Sequence, residues 1–387
     1  MLGETEKRDT GVALSLRYRG LTELPESLSQ LSELQCLDVS GNQLTELPEW
    51  LGNLPCLKKL LVDGNQLTEL PEWLGNLGSL EELHADGNRL TALPTSLGQL
   101  AHLETLRLYD NHLVSLPESI GQLTRLKDIS IGRNRLAALP ESFWELTQLQ
   151  SLNTAENRLT ELPVCIGNLM GLQTLDVGHN ALTALPESLG RLVNLTFFLY
   201  LSNNCLTALP ESLFENLGDL RYLNVTDNRL TELPENIGKL TGLKELRIYH
   251  NQLSRLPESL GKLANLRELH AMDNALEALP ESIGNLQELR ELRLFQNRLT
   301  VLPESLGKLA NLKVLDLRNN HLMALPDALR NLRSLTFLDV RANRLVSLPE
   351  GFGEFANLEK LDVRWNKIGA EPGWIQQLEE RGCDVYV

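Results

Sequence analysis

One asparagine recurs down this chain at a nearly fixed interval. It stands at Asn42, Asn65, Asn88, Asn111, Asn134, Asn157, Asn180, Asn204, Asn228, Asn251, Asn274, Asn297, Asn320, Asn343 and Asn366, 23 residues apart except where single residues are inserted around Asn204. Leucines keep step with it: Leu312, Leu315, Leu317, Asn320 and Leu322 are spaced L-x-x-L-x-L-x-x-N-x-L and lead to Leu325-Pro326. A period in the twenties means that one supersecondary unit is repeated, and that neighbouring units bury one another's apolar faces in a shared core. The 387 residues, a length that would otherwise suggest two or three domains, therefore read as one solenoid over residues 11–366.

Each unit reads as a short strand, a turn at the asparagine, a Leu-Pro pair and a convex segment such as ESLGKLANL. The turn leaves the strand where neither ladder nor helix supplies hydrogen-bond partners, so a side-chain amide is expected to satisfy its backbone. Residues 1–10 read as a flexible lead, and Gly11 to Pro25 as a degenerate first unit with Leu14, Leu16, Leu21 and Leu24 in register but Arg19 in place of the asparagine. Residues 367–387 read as a helix-strand cap: Trp374, Ile375 and Leu378 share a helical face, Gly382 ends it, and Val385 and Val387 alternate as in a strand.

Two units break the period. Leu195 to Asn204 holds one residue too many on the strand side, where a bulge is expected, and Leu213 to Leu217 one too many on the convex side. Fifteen Leu-Pro pairs close the repeats, and thirteen are followed by an acid. Proline suits the first position of a short helix and an acid suits its first turn, so much of the net charge of -15 reads as scaffold chemistry. An acidic chain of this kind lacks the basic face of a nucleic-acid protein.

The five cysteines are too scattered for a disulfide framework or a zinc site. The opening MLGETEKRDT has no apolar core, and no apolar run is long enough to span a membrane. A cytosolic location is expected, and the sequons at Asn194 and Asn224 then carry no sugar.

The kernel L-x-x-L-x-L-x-x-N-x-L with its closing Leu-Pro resembles the leucine-rich repeat, and the phrase LPESLGKLANL resembles the 23-residue intracellular class found in plant Ras-group proteins, in a Ras-pathway scaffold and in bacterial proteins including Roco GTPases. The resemblance covers about Leu14 to Asn366. It implies an α/β solenoid, a horseshoe with a parallel concave sheet and short convex helical segments, and a non-enzymatic scaffold that binds a protein along its concave face. Sixteen units would lay a sheet about 75 Å along its curve. An alternative is the targeting region of a larger enzyme, of the Roco or effector ubiquitin ligase kind, with its catalytic domain elsewhere.

The fold does not dictate the residues between and beside the strand leucines, so selection for binding is sought there. Five of the six tyrosines, Tyr18, Tyr109, Tyr200, Tyr222 and Tyr249, fall at or next to such positions. The candidate partner-binding residues are Arg107, Tyr109, Phe198, Tyr200, Tyr222, Arg247, Tyr249, His270, Met272, Arg293 and Phe295, since Tyr and Arg dominate interface hot spots. Ser130, Gly132, Asn153, Ala155, Asp176 and Gly178 are small, so a hollow floor is expected there. The alternation Asp316, Arg318, Asp339, Arg341, Asp362, Arg364 is expected to satisfy itself diagonally as a solvated ladder. Trp50 and Trp73, at equivalent places in consecutive units, are expected to stack on each other, with a second contact or self-association as the alternative, in a chain expected to be a monomer. His84 with Asp63 and Asp86 could imitate a metal or acid-base site, but repetition alone places carboxylates near histidines. No nucleotide loop or nucleophile elbow occurs, and no catalytic residue, cofactor or metal is assigned.

Overall fold

The computed structural model describes residues 5–8, 11–369 and 372–387. They fall into two compact units, Met1–Leu182 with Arg191–Leu195 and Thr183–Gly190 with Thr196–Val387. The first unit carries β1 (Thr5–Arg8), β2 (Gly11–Ser15), β3 (Leu34–Asp38), β4 (Lys59–Leu61), β5 (Glu82–His84), β6 (Thr105–Arg107), β7 (Asp128–Ser130), β8 (Ser151–Asn153) and β9 (Thr174–Asp176). Of the ten residues expected as a flexible lead, Thr5–Arg8 pair antiparallel with β2, and the remaining six lie outside the described residues. From β2 to β9 every successive pair is parallel.

The second unit carries β10 (Phe198–Tyr200), β11 (Tyr222–Asn224), β12 (Glu245–Arg247), β13 (Glu268–His270), β14 (Glu291–Arg293), β15 (Val314–Asp316), β16 (Phe337–Asp339), β17 (Lys360–Asp362) and β18 (Asp384–Tyr386), again a parallel series. It closes with helix α2 (Trp374–Glu380), which buries Trp374, Ile375 and Leu378 and ends near Gly382 at φ +89°. Glu371, at the start of the expected cap, lies outside the described residues. No helix among the described residues is long and apolar enough to cross a membrane.

From β4 onward the strands are three residues long, because the strand leucine must meet its counterpart once and the chain must then turn. Leu223, Leu246, Leu269 and Leu292 pair in register and are fully buried. The turn is made by the residue before each asparagine, which takes a left-handed conformation. Gly41, Gly64 and Gly87 serve in the first three turns, and twelve non-glycine residues from Asp110 to Trp365 do so at φ between 50° and 58°. An L-residue pays about 1–2 kcal/mol to sit there, so something must hold it. The asparagine does. Asn320 Oδ1 accepts the Leu299 N–H at 3.0 Å, while its Nδ2 donates to the carbonyls of Leu294 at 3.0 Å and Leu317 at 2.9 Å. One buried amide thus fixes its own turn and ties it to the preceding repeat, and Asn42 does the same for the degenerate first unit through Leu16 and Leu21.

The convex segments are five-residue 3-10 turns rather than α-helices. Each is entered by proline in an extended conformation and closed by an i→i−3 bond such as Leu263 N–H to Leu260 O. They stack so closely that a Cβ on Gly261 would lie 2.4 Å from the Ser282 carbonyl oxygen. The acids after proline stand in the first turn of their own segment, and several also reach the next repeat with their carboxylates. Glu72 accepts the N–H groups of Thr95 at 3.0 Å and Ser96 at 2.9 Å, and Glu258 accepts that of Ser282 at 3.1 Å. Those N–H groups, Ser96 first, hold the Glu72 pKa below the usual range.

The two insertions are absorbed in different ways. The convex one converts a 3-10 turn into a short α-helix, α1 (Glu211–Asn216), in which the Leu217 N–H reaches back four residues to Leu213 O and Phe214 becomes fully buried. The strand-side one leaves the β10–β11 ladder itself in order, with Phe198, Leu199 and Tyr200 paired to Tyr222, Leu223 and Asn224. Just ahead of it the Arg221 N–H reaches Thr196 O, three residues before Leu199 where other repeats use the residue two before the leucine, so Phe197 is the extra, bulged residue at the strand's entry. Trp50 and Trp73 do not stack, since the Trp73 ring lies over Gly52 instead.

If the amide ladder holds the turns, Asn251→Ala strands the buried Leu230 N–H and takes one of two amide donors from the carbonyls of Val225 and Ile248, which keep Asn228 and Asn274. That change is expected to lower unfolding free energy by about 1–3 kcal/mol. Asn265→Ala removes one exposed bond to Thr241 O. It should cost less than about 1 kcal/mol. Urea unfolding of the two variants beside the parent protein checks the difference.

Candidate interaction surface

In-register pairing sorts the side chains on the face of the second unit's sheet into rows. One row, just before the strand leucines, reads Phe198, Tyr222, Glu245, Glu268, Glu291, Val314, Phe337 and Lys360. The next, just after them, reads Tyr200, Asn224, Arg247, His270, Arg293, Asp316, Asp339, Asp362 and Tyr386. Two residues further on come Tyr249, Met272, Phe295, Arg318, Arg341 and Arg364.

The aromatic end of these rows is a contact cluster. The Phe198 ring stacks on Tyr200 at 5.8 Å between centroids and meets Tyr222 edge-on at 5.6 Å, while Tyr200 and Tyr222 lie 4.9 Å apart. The Arg247 guanidinium lies 5.6 Å from the Tyr222 ring centre, and Phe197 packs beside Phe198 with Arg221 over its outer face. Tyr222 is buried beneath the others, which pushes its pKa up to about 12. Phe198 and Phe197 remain 41% and 38% exposed, so the cluster ends in apolar surface. Of the remaining candidates, Tyr249 meets His250 edge-on at 5.2 Å, Phe295 lies under Arg318 at 4.4 Å, and Met272 is half-buried. Thus Phe198, Tyr200, Tyr222 and Arg247 are brought together, and Tyr249, His270, Met272, Arg293 and Phe295 continue along the same face.

Arg107 and Tyr109 belong to the first unit. Arg107 is exposed, 3.7 Å from Asp128. The Tyr109 ring lies over Gly132, where a Cβ would come within 3.0 Å of its Cδ2, and its hydroxyl donates to Glu156 at 3.0 Å, two repeats away. The expected hollow floor around Gly132 is therefore occupied by this ring. His84 Nδ1 sits 4.0 Å from Asp63 Oδ2, while Asp63 and Asp86 each give one oxygen, Oδ1, to the N–H groups of Asp86 and Tyr109. Burial pushes Asp86 up to about 6.

Phe198 and Tyr222 were singled out in the row before the leucines, but its acids were missed, because attention otherwise fell on the positions after the leucines. Glu245, Glu268 and Glu291 lie side by side, and like charges directly opposite one another destabilise a sheet. Arg247 answers Glu245 at 2.5 Å and Arg293 answers Glu291, each from two residues along the same strand. The matching residue for Glu268 is His270. Its Nε2 is 3.5 Å from Glu268 Oε2 and 3.3 Å from Glu291 Oε1, yet it makes a hydrogen bond with neither. Burial, chiefly, lowers the His270 pKa and favours the neutral ring, while Glu268 is pushed up by its own burial and then by its acidic neighbours. The signal for this group was available in the sequence as three acids 23 residues apart, each followed two positions later by Arg, His and Arg.

The Asp/Arg alternation is not a solvated ladder. Asp316, Asp339 and Asp362 are at most 2% exposed, roofed by their arginines. Arg341 grips Asp339 at 2.7 Å and Arg364 grips Asp362 at 2.6 Å within each strand, and one diagonal contact joins Arg341 to Asp362 at 3.3 Å. Arg364 also lies over Tyr386 at 4.9 Å, and both arginines approach the Trp365 ring. Asp316 has the looser partner, Arg318 at 3.4 Å, and burial pushes its carboxyl up to about 6.

A carboxyl whose pKa rises on folding stabilises the fold while protonated and loses that contribution as pH climbs from the unfolded value near 4 through about 6. Asp316→Asn should therefore flatten the fall in stability between pH 4 and 6, and at pH 7 raise stability by about 1–3 kcal/mol. Thermal melts of variant and parent across that range check both.

Comparison with known proteins agrees with this architecture. A model of the leucine-rich repeat region matches residues 13–92, 212–301 and 288–380, and a second leucine-rich repeat model matches residues 101–159 and 171–230. No curated protein matches the chain. Among solved structures, a leucine-rich repeat protein of Leptospira interrogans is 34% identical over 97% of this chain and 95% of its own, with a TM-score of 0.90. The plant peptide hormone receptor RGFR1, solved in complex with RGF2, is 27% identical over 96% of this chain and 77% of its own, with a TM-score of 0.66. The ectodomain of the Arabidopsis receptor kinase HAESA, solved with an N-terminally extended IDA peptide hormone ligand, is 27% identical over 94% and 71%, with a TM-score of 0.59. With family models matching well over half its length, this chain belongs to the leucine-rich repeat family.

Proposed function

We propose that the chain is a non-catalytic protein-interaction module whose partner docks on the sheet face of the second unit, centred on Phe198, Tyr200, Tyr222 and Arg247 and extending over Tyr249. Leucine-rich repeat domains generally mediate protein–protein interaction, and two structural neighbours were solved with peptide hormones bound. One observation carries the reading: two phenylalanines, one of them an extra residue that breaks the repeat, stand exposed above a tyrosine buried to support them. The fold requires neither: the row of Phe198 holds Glu245, Glu268 and Lys360 as well as Val314 and Phe337, and the next repeats carry Arg221, Lys244 and Arg267 just before that row, where Phe197 stands. Large rings held in place by one another lose little freedom on binding and supply the apolar centre that a hot spot needs.

The reading extends to a cytosolic monomer of the 23-residue intracellular class. Sedimentation of the purified protein at a single-chain mass tests the second part.

Phe198→Ala with Tyr249→Ala is expected to weaken capture of the partner by at least about tenfold with little change in melting temperature. Tyr222→Ala should lower the melting temperature as well, because that ring is buried. Capture followed by mass spectrometry, with affinity then measured on the purified partner, distinguishes the two. Undiminished capture by the double variant would sink the proposal.

A further inference from the structure

Every strand acid in the middle of the second unit has a permanent cation two residues on, except one. Glu245 has Arg247 and Glu291 has Arg293, but Glu268 has His270, and it stands between the other two acids in register. His270 is only 9% exposed, and its buried Nε2 hydrogen-bonds to nothing. That nitrogen and one oxygen from each of Glu268 and Glu291 all lie within 4.8 Å of one another.

We propose that Glu268, His270 and Glu291 form a binding site for a divalent cation of the zinc class. Zinc held by imidazole and carboxylate at 2.0–2.1 Å in tetrahedral geometry puts neighbouring ligand atoms about 3.4 Å apart. The Nε2 to carboxylate separations are 3.5 and 3.3 Å, so the nitrogen already stands at a tetrahedral edge from each oxygen while making a bond to neither. A cation there would give the buried nitrogen its missing partner, neutralise the acid that lacks an arginine, and relieve the repulsion along the row. Three protein ligands leave a fourth position open on the sheet face, where water or an atom of a docked molecule completes the shell.

The charges of Arg247 and Arg293 both oppose the ion, and one of the two also holds a ligand. Arg293 holds the Glu291 oxygen that faces His270 and must release it, which its partly exposed side chain permits. The opposition gives the site a signature of its own: removing this arginine should tighten metal binding, whereas removing a ligand should weaken it.

The test uses the full chain stripped with a chelator and titrated with zinc chloride by calorimetry, after circular dichroism confirms that each variant is folded. Parent protein should bind one equivalent that His270→Ala and Glu291→Gln lose or bind more weakly, by more than the roughly 10–100-fold that loss of an outer-shell partner costs. Arg293→Gln should bind that equivalent more tightly than the parent. Cobalt bound at this site should show visible bands of nitrogen and oxygen ligation without intense thiolate absorption, which separates it from binding at cysteines. No zinc bound by the parent, an unchanged titration in both ligand variants, or unchanged or weaker binding in Arg293→Gln would overturn the assignment. Because the readout is metal binding, its failure leaves the docking proposal standing, and loss of docking leaves this one standing.

Discussion

The structure depends on one buried amide per repeat. The asparagine side chain accepts from the backbone of the preceding repeat and donates to carbonyls of both, so a turn that would be strained alone is held by bonds to its own buried backbone groups. This is why twelve residues as different as Asp110, His250, Ala342 and Trp365 all accept a left-handed backbone. Their side chains play no part in the choice. The amide also sets the register, because it spans a fixed number of residues back; where the convex insertion lengthens a repeat, Asn228 simply bridges 27 and 22 residues instead of 26 and 21.

Strict register has an electrostatic consequence. Any residue type repeated at one position lines up with its copies on adjacent strands, so a favourable choice is multiplied and so is an unfavourable one. Two rows of acids result, Glu245 to Glu291 and Asp316 to Asp362, in an arrangement that repels itself. The remedy is local: a residue two places on shares the same face of the sheet, and an arginine there reaches back to its own strand's acid. Its planar guanidinium can also cover an aromatic ring while it pairs, as Arg364 does over Tyr386. A histidine in that place offers a lone pair instead of a fixed charge, which is what makes position 270 different from its neighbours.

The leucine and asparagine spacing made the repeat, the parallel strands and the role of the ladder legible, because each follows from backbone chemistry that acts within one unit or between adjacent ones. Side-chain reach was not legible. Tyr109 fills the space above Gly132 because its hydroxyl finds Glu156 two repeats away, and no spacing rule states how far a ring will lean. The Asp/Arg stretch looked solvated because its residues are charged, yet burial was decided by the arginines folding back over the acids and by Trp365 and Tyr386 beside them. The insertions were visible as irregularities, but whether an extra residue becomes a bulge or an added helical bond depends on which neighbouring contacts are stronger. At Phe197 the strand pairing won and the bulge fell at the strand's entry; at Leu213 the turn lengthened and Phe214 was drawn into the core.

The aromatic cluster contains two kinds of residue, and their difference separates stability from recognition. Tyr222 has traded solvent for ring contacts on two sides and a guanidinium, so it behaves as part of the scaffold. Phe198 touches the same rings but keeps two-fifths of its surface in water, and Phe197 keeps nearly as much. An apolar ring left half out of water gains only part of the burial free energy available to it, roughly 25 cal/mol for each Å² still exposed being forgone. That remainder is recoverable only when something covers it. A polar residue would have served the sheet equally well, as Glu245 and Lys360 do in the same row, so the exposed phenylalanines are better explained by an absent surface than by the fold that carries them.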